Sequence, residues 1–277
     1  MAYSKSTNTI DYFSMNRKMR IFPERRRAKI LEIIRRNESA SVKELSEQIG
    51  ASNSTIHRDL IELKKQGFIE KSYGGAISLK SVSTTFEPDH EIASEIAREQ
   101  KVAIGKMAYK QLSNGQSVIF DSSSTVFEAA RYVVEKGLAI TAVTNDIKIA
   151  GMLSKSSAVN LLMVGGVLRP RSNTILGEPG LSFLGDLNVD MALIGVHAVG
   201  NNKLSDTSVD VVSMKRLMTK AAKRTIILAD SSKFGESAFY NICDIKDVDE
   251  IITDKGITKK QRKKLEEQEV RVFVAKS

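Results

Sequence analysis

Between residues 41 and 67 the chain carries two amphipathic segments separated by a two-residue turn, and that spacing restricts the fold of everything around it. Ser41-Val42-Lys43-Glu44 has the Ser-x-x-Glu spacing of a capping box, in which hydroxyl and carboxylate satisfy each other's free backbone N–H groups. Leu45 and Ile49 continue the apolar face begun by Val42, and Gly50-Ala51 forms the turn. Ser52 then stands as the N-cap of a second helix whose Ile56, Leu60 and Leu63 fall at i, i+4 and i+7. Gly67 supplies the left-handed residue that ends it. On the opposite face Asn53, Ser54, His57 and Arg58 crowd the N-terminal half, all donors or acceptors long enough to reach base edges or phosphates. A helix with that surface is expected to lie in the major groove of double-stranded DNA.

The flanks agree with this reading. Pro23 suits the first position of a helix over Pro23–Asn37, whose Ile30, Leu31 and Ile34 face one way. After Gly67, the segments Phe68–Lys71 and Ala76–Leu79 enclose Ser72-Tyr73-Gly74-Gly75 and read as a β-hairpin. Three helices and a hairpin make a winged helix-turn-helix over residues 23–79. Its recognition stripe packs on Leu45, Ile49, Ile30 and Ile34, turning Asn53, Ser54, Thr55, His57 and Arg58 toward DNA. Arg25, Arg26 and Lys71 on the wing are expected to hold the phosphate backbone. Asp59 is expected to anchor the domain by local pairing, because phosphates repel a carboxylate. Residues 1–22 are polar and basic without sustained periodicity and read as a flexible arm.

The net charge of +9 is unevenly spread. Residues 1–80 hold 16 Lys and Arg against 9 Asp and Glu, whereas residues 81–277 hold 26 against 24. A basic block joined to a near-neutral one suits a polyanion-binding module attached to a domain with another task, although a solvated basic face would give the same count. No apolar run approaches the roughly 18 to 20 residues of a membrane span. The N-terminus lacks the apolar stretch of a secretory signal, and the single Cys243 cannot close an intramolecular disulfide. A cytoplasmic protein with no membrane partner is expected.

Residues 80–90, with Ser, Thr and one Pro, read as a linker, and a long helix is expected from Asp89 to Leu112. Beyond it short apolar runs alternate with helical segments: Ser117–Phe120, Ala139–Val143, Asn160–Val164, Met191–Val196, Thr225–Ala229, Glu250–Thr253 and Val270–Val274. Runs that are apolar on both faces argue for a largely parallel sheet covered by helices, an α/β domain over residues 91–277. Several runs end in polar loops: Asp121-Ser122-Ser123-Ser124-Thr125, Thr144-Asn145-Asp146, Gly165-Gly166 with Arg169 and Arg171, and Asp230-Ser231-Ser232-Lys233. Ligands of open α/β sheets bind at carboxyl ends of strands, so these loops are candidates for one pocket. Hydroxyls and backbone N–H groups at a helix start, with Arg and Lys, suit a phosphate; Asp121, Asn145 and Asp230 suit sugar hydroxyls. Singly, a Ser/Thr run is more often a helix cap and a Gly pair more often a turn.

The block Arg25 to Ala76, with Val42-Lys43-Glu44-Leu45, Ser54-Thr55-Ile56-His57-Arg58-Asp59-Leu60 and Tyr73-Gly74-Gly75-Ala76, resembles the N-terminal domain of the DeoR family of bacterial transcription regulators. That family usually has arginine where this chain has His57, which leaves the operator sequence open but not the mode of binding. Residues Lys101 to Asp254 resemble the family's sensor domain, similar in fold to ribose-5-phosphate isomerase. The resemblance implies that the loops Asp121–Thr125, Thr144-Asn145, Gly165-Gly166 and Asp230–Lys233 surround a phosphorylated sugar. Ser123 replaces a usual glycine there, and of the acids expected before Lys215 only Asp210 can serve.

His57, His90 and His197 are scattered, and neither a Walker A sequence nor Gly-x-Gly-x-x-Gly occurs, so no metal or nucleotide cofactor is expected. Lys259 to Lys264 reads as the solvated face of a C-terminal helix, and Met214, Leu217 and Met218 as core or subunit contact. The chain thus reads as a sequence-specific DNA-binding regulator. Its expected role is a repressor of a carbohydrate uptake or catabolism operon, relieved by a phosphorylated sugar and working as a homodimer or homotetramer. Two alternatives stand beside it. One is a sugar-phosphate isomerase-like enzyme carrying a DNA-binding domain, with Asp121, Asp210 and Lys233 as acid/base groups. The other is a basic protein that binds any DNA.

Overall fold

The computed structural model describes residues 21–72, 74–78, 84–85 and 90–276. Most of the expected arm and linker, with Tyr73 and Leu79, lie outside the described residues. The N-terminal region runs α1 (Pro23–Asn37), β1 (Ser39–Ser41), α2 (Val42–Ile49), α3 (Asn53–Lys65), β2 (Ile69–Ser72) and β3 (Gly75–Ser78). Both bonds of the capping box are made: Ser41 N–H donates to Glu44 Oε2 at 2.8 Å, and Glu44 N–H to Ser41 Oγ at 3.2 Å. Thr55 N–H donates to Ser52 Oγ at 3.3 Å, and α3 ends at Gly67, φ 78°, with Phe68 N–H bonded back to Leu63 O at 2.9 Å. The sequence carried no sign of β1, which pairs antiparallel with β3. A Cβ on Gly75 would lie 2.3 Å from Ala40 O, so only glycine allows that pairing. Ile30, Leu31, Ile34, Leu45, Ile56, Leu60 and Leu63 are all buried in one cluster, as the periodicity required.

The single helix expected from Asp89 to Leu112 is instead two, α4 (His90–Glu95) and α5 (Arg98–Tyr109), broken at Ala97 with φ 53° and ψ 35°. A left-handed alanine costs roughly 1–2 kcal/mol. The reason for the break is tertiary. Ile92 is buried in the winged-helix cluster, whereas Ile104 and Ala108 belong to the core under the following sheet. One straight helix cannot serve both.

The remaining elements are β4 (Ser117–Phe120), α6 (Ser124–Lys136), β5 (Ile140–Thr144), α7 (Ile147–Leu153), β6 (Val159–Met163), β7 (Val167–Leu168), β8 (Ile175–Leu176), α8 (Gly180–Gly185), β9 (Met191–Gly195), β10 (Ala198–Val199), β11 (Lys203–Asp206), α9 (Val209–Ala221), β12 (Thr225–Leu228), β13 (Tyr240–Asp244), β14 (Glu250–Asp254), α10 (Lys259–Glu266) and β15 (Arg271–Ala275). All seven expected runs join one sheet of order β15-β14-β12-β9-β4-β5-β6, and every neighbouring pair is parallel. Val118, Phe120, Leu193 and Ile252 face the core under α5 and α6, while Ile119, Ile194 and Ile251 face the core under α9 and α10. Burial on both faces explains why these runs lack alternation. Strand order reverses between β4 and β9, which opens a crevice at their carboxyl ends. The antiparallel pieces β7-β8 and β10-β11-β13 flank the sheet and were not anticipated. Met214 and Met218 are core residues, and Lys259, Lys260, Lys263 and Lys264 are exposed on α10.

Candidate functional site

Packing of the α3 stripe against α1 and α2 leaves Asn53, Ser54, His57 and Arg58 exposed on the outer face, with Thr55 half-buried beside Ser52. Arg25 and Lys71 are exposed as well. Arg26 differs from expectation. Its Nε donates to Asp59 Oδ2 at 2.5 Å and its Nη2 to Asp59 Oδ1 at 3.2 Å, so this arginine is committed to the domain interior rather than presented to phosphates. Arg27 Nε also reaches Asp59 Oδ1, at 3.2 Å. Asp59 is 2% exposed and anchors α3 to α1, the pairing role its sequence position implied. Stripping one partner from a buried, hydrogen-bonded charge pair typically costs about 3–5 kcal/mol. Asp59→Ala is therefore expected to lower stability by that order, measured by urea unfolding, whereas exposed Arg25→Ala should leave the midpoint unchanged.

At the crevice between β4 and β9 three charged side chains are buried together. Lys215, from α9, lies 3.2 Å from Asp121 Oδ2 and 2.8 Å from Asp206 Oδ2, and its ammonium donates to Gly195 O at 2.6 Å. Gly195 N–H donates to Asp121 Oδ2 at 3.0 Å. Burial alone would lower the Lys215 pKa, but Asp121 and Asp206 outweigh it and hold the ammonium above its ordinary range. Burial pushes Asp121 up despite Lys215, while the ammonium outweighs desolvation at Asp206 and holds that acid down. Asp206 is thus the ionic partner of Lys215, and Asp121 the acid more ready to take a proton. Asp210, the acid expected near Lys215, is exposed on the first turn of α9. Asp206 reaches the lysine because β11, absent from the sequence reading, carries it back over the strand ends.

The first loop is largely occupied with its own structure. Ser123 Oγ accepts from Thr125 N–H at 3.2 Å and caps α6; its side chain lies where a Cβ on Gly195 would approach to 2.3 Å. Ser122 bonds to Asp146 Oδ2 at 2.8 Å and to Thr174, and Thr144 Oγ1 donates to Phe120 O at 2.7 Å. Ser124 opens α6 half-buried, and Thr125 is buried below it. Gly166 has φ 138°, and a Cβ there would meet Leu176 O at 2.4 Å, so Gly165-Gly166 is a tight turn, with Arg169 half-buried after it. Asn145 is different. It is 1% exposed, its amide donates to Ile175 O at 3.1 Å, and its buried Oδ1 has no hydrogen-bond partner. An unpaired buried acceptor costs about 1–3 kcal/mol, a cost that a donating ligand hydroxyl would remove.

A second corner lies at the end of β12. Asp230 is buried, its Oδ1 accepting from Ser232 N–H at 3.1 Å, and half-buried Lys233 follows two residues later in chain from Ser231. Opposite stands Lys101 of α5, 6% exposed, whose ammonium donates to Ala93 O at the end of α4. Burial, partly offset by Asp230 and reinforced by Lys233, pushes its pKa down to about 8. Lys101 was missed in the sequence, yet a signal existed: it shares the buried face of α5 with Ile104 and Ala108, at i, i+3 and i+7. A lysine on an apolar stripe is costly unless it has a task there.

Residues 26–82 match the DeoR-like helix-turn-helix domain and residues 96–255 the DeoR C terminal sensor domain. The chain is 36% identical to a protein of Escherichia coli O157:H7 named for repression of the aga operon, over 84% of this chain and 86% of that protein. It is 32% identical to the HTH-type transcriptional regulator GlpR of Haloferax volcanii, over 89% and 95% of the two chains. With the glycerol-3-phosphate regulon repressor of Escherichia coli K12 it shares 30% identity over 81% and 88%. Among solved structures, ribose 5-phosphate isomerase A of Methanocaldococcus jannaschii is similar over 50% of this chain and 55% of that one, with 16% identity and a TM-score of 0.38. Among the described residues no helix is long and apolar enough to cross a membrane.

Proposed function

Because this chain belongs to the DeoR family of transcriptional regulators, we propose that it represses an operon for carbohydrate uptake or catabolism in the cytoplasm and is released from its operator by a phosphorylated sugar. The observation that carries this reading is the buried Lys101, set beside Asp230 and Lys233 at the carboxyl end of the sheet of a chain whose α3 turns Asn53, Ser54, His57 and Arg58 outward. The names of relatives, aga operon and glycerol-3-phosphate regulon, agree with a sugar-related signal. In this reading Arg58, His57, Asn53, Ser54 and Thr55 meet the major groove, and Arg25 and Lys71 meet phosphates. The anionic end of the effector lies on Lys101 and Lys233, and its hydroxyls donate to Asp230 and to the open Oδ1 of Asn145. One recognition helix buries too little surface for tight operator binding, so the working form is a homodimer or homotetramer that sets two such helices on two half-sites.

The test is operator binding at fixed ionic strength with and without a panel of sugar phosphates and their unphosphorylated sugars. One phosphate ester is expected to release the complex, while its parent sugar does not. Release should also weaken with pH. With a pKa of about 8, Lys101 loses its charge above that value, so the effector concentration needed rises by up to about tenfold per pH unit. A flat response between pH 7 and 9.5 would remove Lys101 from the site, and no release by any ester would remove the pocket assignment. The isomerase-like alternative draws little from these residues: Asp210 faces solvent, and Lys215 is held protonated between two acids, which leaves it unable to act as a base.

A further inference from the structure

The corner around Asp230 is not built by the sensor domain alone. Helix α1 of the winged helix packs on α4, and Glu32 Oε1 of α1 accepts the N–H of Ala97, the left-handed residue from which α5 departs, at 3.2 Å. Lys101, one turn into α5, donates back to Ala93 O, so α4 is held from both sides. The same first turn of α5 and Ser231, next to Asp230, line a common cavity of about 330 Å³. Glu32 lies one helical turn from Arg35, which therefore overlooks this corner from the DNA-binding side.

Arg35 is exposed, and among the described residues neither Arg35 nor Lys233 has a hydrogen-bond or ion-pair partner for its charged group. Of the acids around Lys101, Glu128 is paired with Arg131 at 2.8 Å and Glu95 lies 3.7 Å from Arg98. Asp230 is left as the acid that attracts cations from both domains. Desolvation lowers the pKa of the Arg35 guanidinium, and Asp230 opposes that shift more strongly than Glu32, its neighbour on the same helix. Three cations thus converge on one carboxylate, an arrangement with positive charge to spare for an anion.

Resting on the effector reading above, we propose that the effector site is shared between the domains: Arg35 of α1 joins Lys101 and Lys233 as a ligand of the effector's anionic group. A guanidinium from the DNA-binding domain then feels occupancy directly. An anion at this corner draws α1 toward Asp230 and competes with Ala93 O for the Lys101 ammonium. The winged helix is thereby reoriented about Ala97. No covalent step is involved; the coupling is the difference in anion affinity between the two domain arrangements.

The experiment uses the full chain and radiolabelled inorganic phosphate in equilibrium dialysis at constant ionic strength, with thermal unfolding to confirm that each variant folds. Arg35→Gln is expected to weaken phosphate binding about tenfold, as is Lys233→Gln, and Arg35→Lys should recover part of the loss. Phosphate should also lose its effect on operator affinity in Arg35→Gln. If Lys233→Gln loses phosphate while Arg35→Gln binds as the unaltered chain does, the shared site is wrong and the sensor-domain site survives. If neither variant changes binding, or the unaltered chain binds no phosphate, the anionic corner itself is wrong. If Arg35→Gln alone weakens binding, the anion sits on the DNA-binding domain, and the shared site is again overturned.

Discussion

Arg58→Ala is expected to abolish specific operator binding while leaving the fold intact. Arg58 is exposed on the outer face of α3, opposite the buried Ile56, Leu60 and Leu63, so truncation removes no core contact. A bidentate arginine–guanine pair is worth roughly 1–3 kcal/mol of discrimination, and two half-sites double it to roughly 2–6 kcal/mol. The expected rise in operator Kd is therefore upwards of about thirtyfold. Affinity for a scrambled duplex should fall far less, because a residual phosphate contact carries no base information. Equal losses on operator and scrambled DNA would instead favour a protein that binds any duplex. His57→Arg, which restores the residue usual in the family, should retain tight DNA binding and shift the preferred sequence, read by selection from a randomised duplex pool.

Lys215→Met should destabilise the sensor domain by about 3–5 kcal/mol at neutral pH, the typical cost of leaving a buried charge unpaired. Asp121 and Asp206 would then face each other without the ammonium that lies 3.2 and 2.8 Å from them. The pH dependence identifies the cause. In the unaltered chain Lys215 has a raised pKa, so its contribution is complete below the unfolded lysine value and disappears only as pH rises through the folded one. Without it, burial and mutual repulsion raise both carboxyls above their unfolded values. The folded state then binds more protons than the unfolded one, and stability must increase as pH falls from 7 toward 4. Urea unfolding across that range checks the sign. A deficit that does not shrink on acidification would mean that lost packing, and not the stranded carboxylates, sets the cost. Asp121→Asn in the Lys215→Met background should recover part of the loss at neutral pH, because it removes one of the two charges.

The N-terminal domain was legible almost residue by residue, because each element there is specified locally. The capping box, the Ser52 cap, the Gly67 terminator and the stripe Ile56-Leu60-Leu63 lie within a turn or two of the backbone they organise. The seven parallel strands were legible for a related reason: burial on both faces writes an uninterrupted apolar run, whatever the order in the sheet. The site was less legible. Arg26 looked like one more surface arginine until packing set it against Asp59, 33 residues away. Asp210 had the right chemistry near Lys215, but a helix places its first turn outward, and the acid that pairs came from β11.

What the sequence by itself determined is the set of elements, the outward face of α3, and the family to which both halves belong. These follow from periodicity, caps and motifs, all short-range in the chain. What only the tertiary structure decided is which charges are committed and which remain for a ligand. Asp59, Asp121 and Lys215 are consumed by buried pairs, whereas Lys101, Lys233, Arg35 and the Asn145 carbonyl surround the carboxyl ends of the sheet. Desolvation and partner distance set that division, and both depend on residues brought together from far apart in the chain.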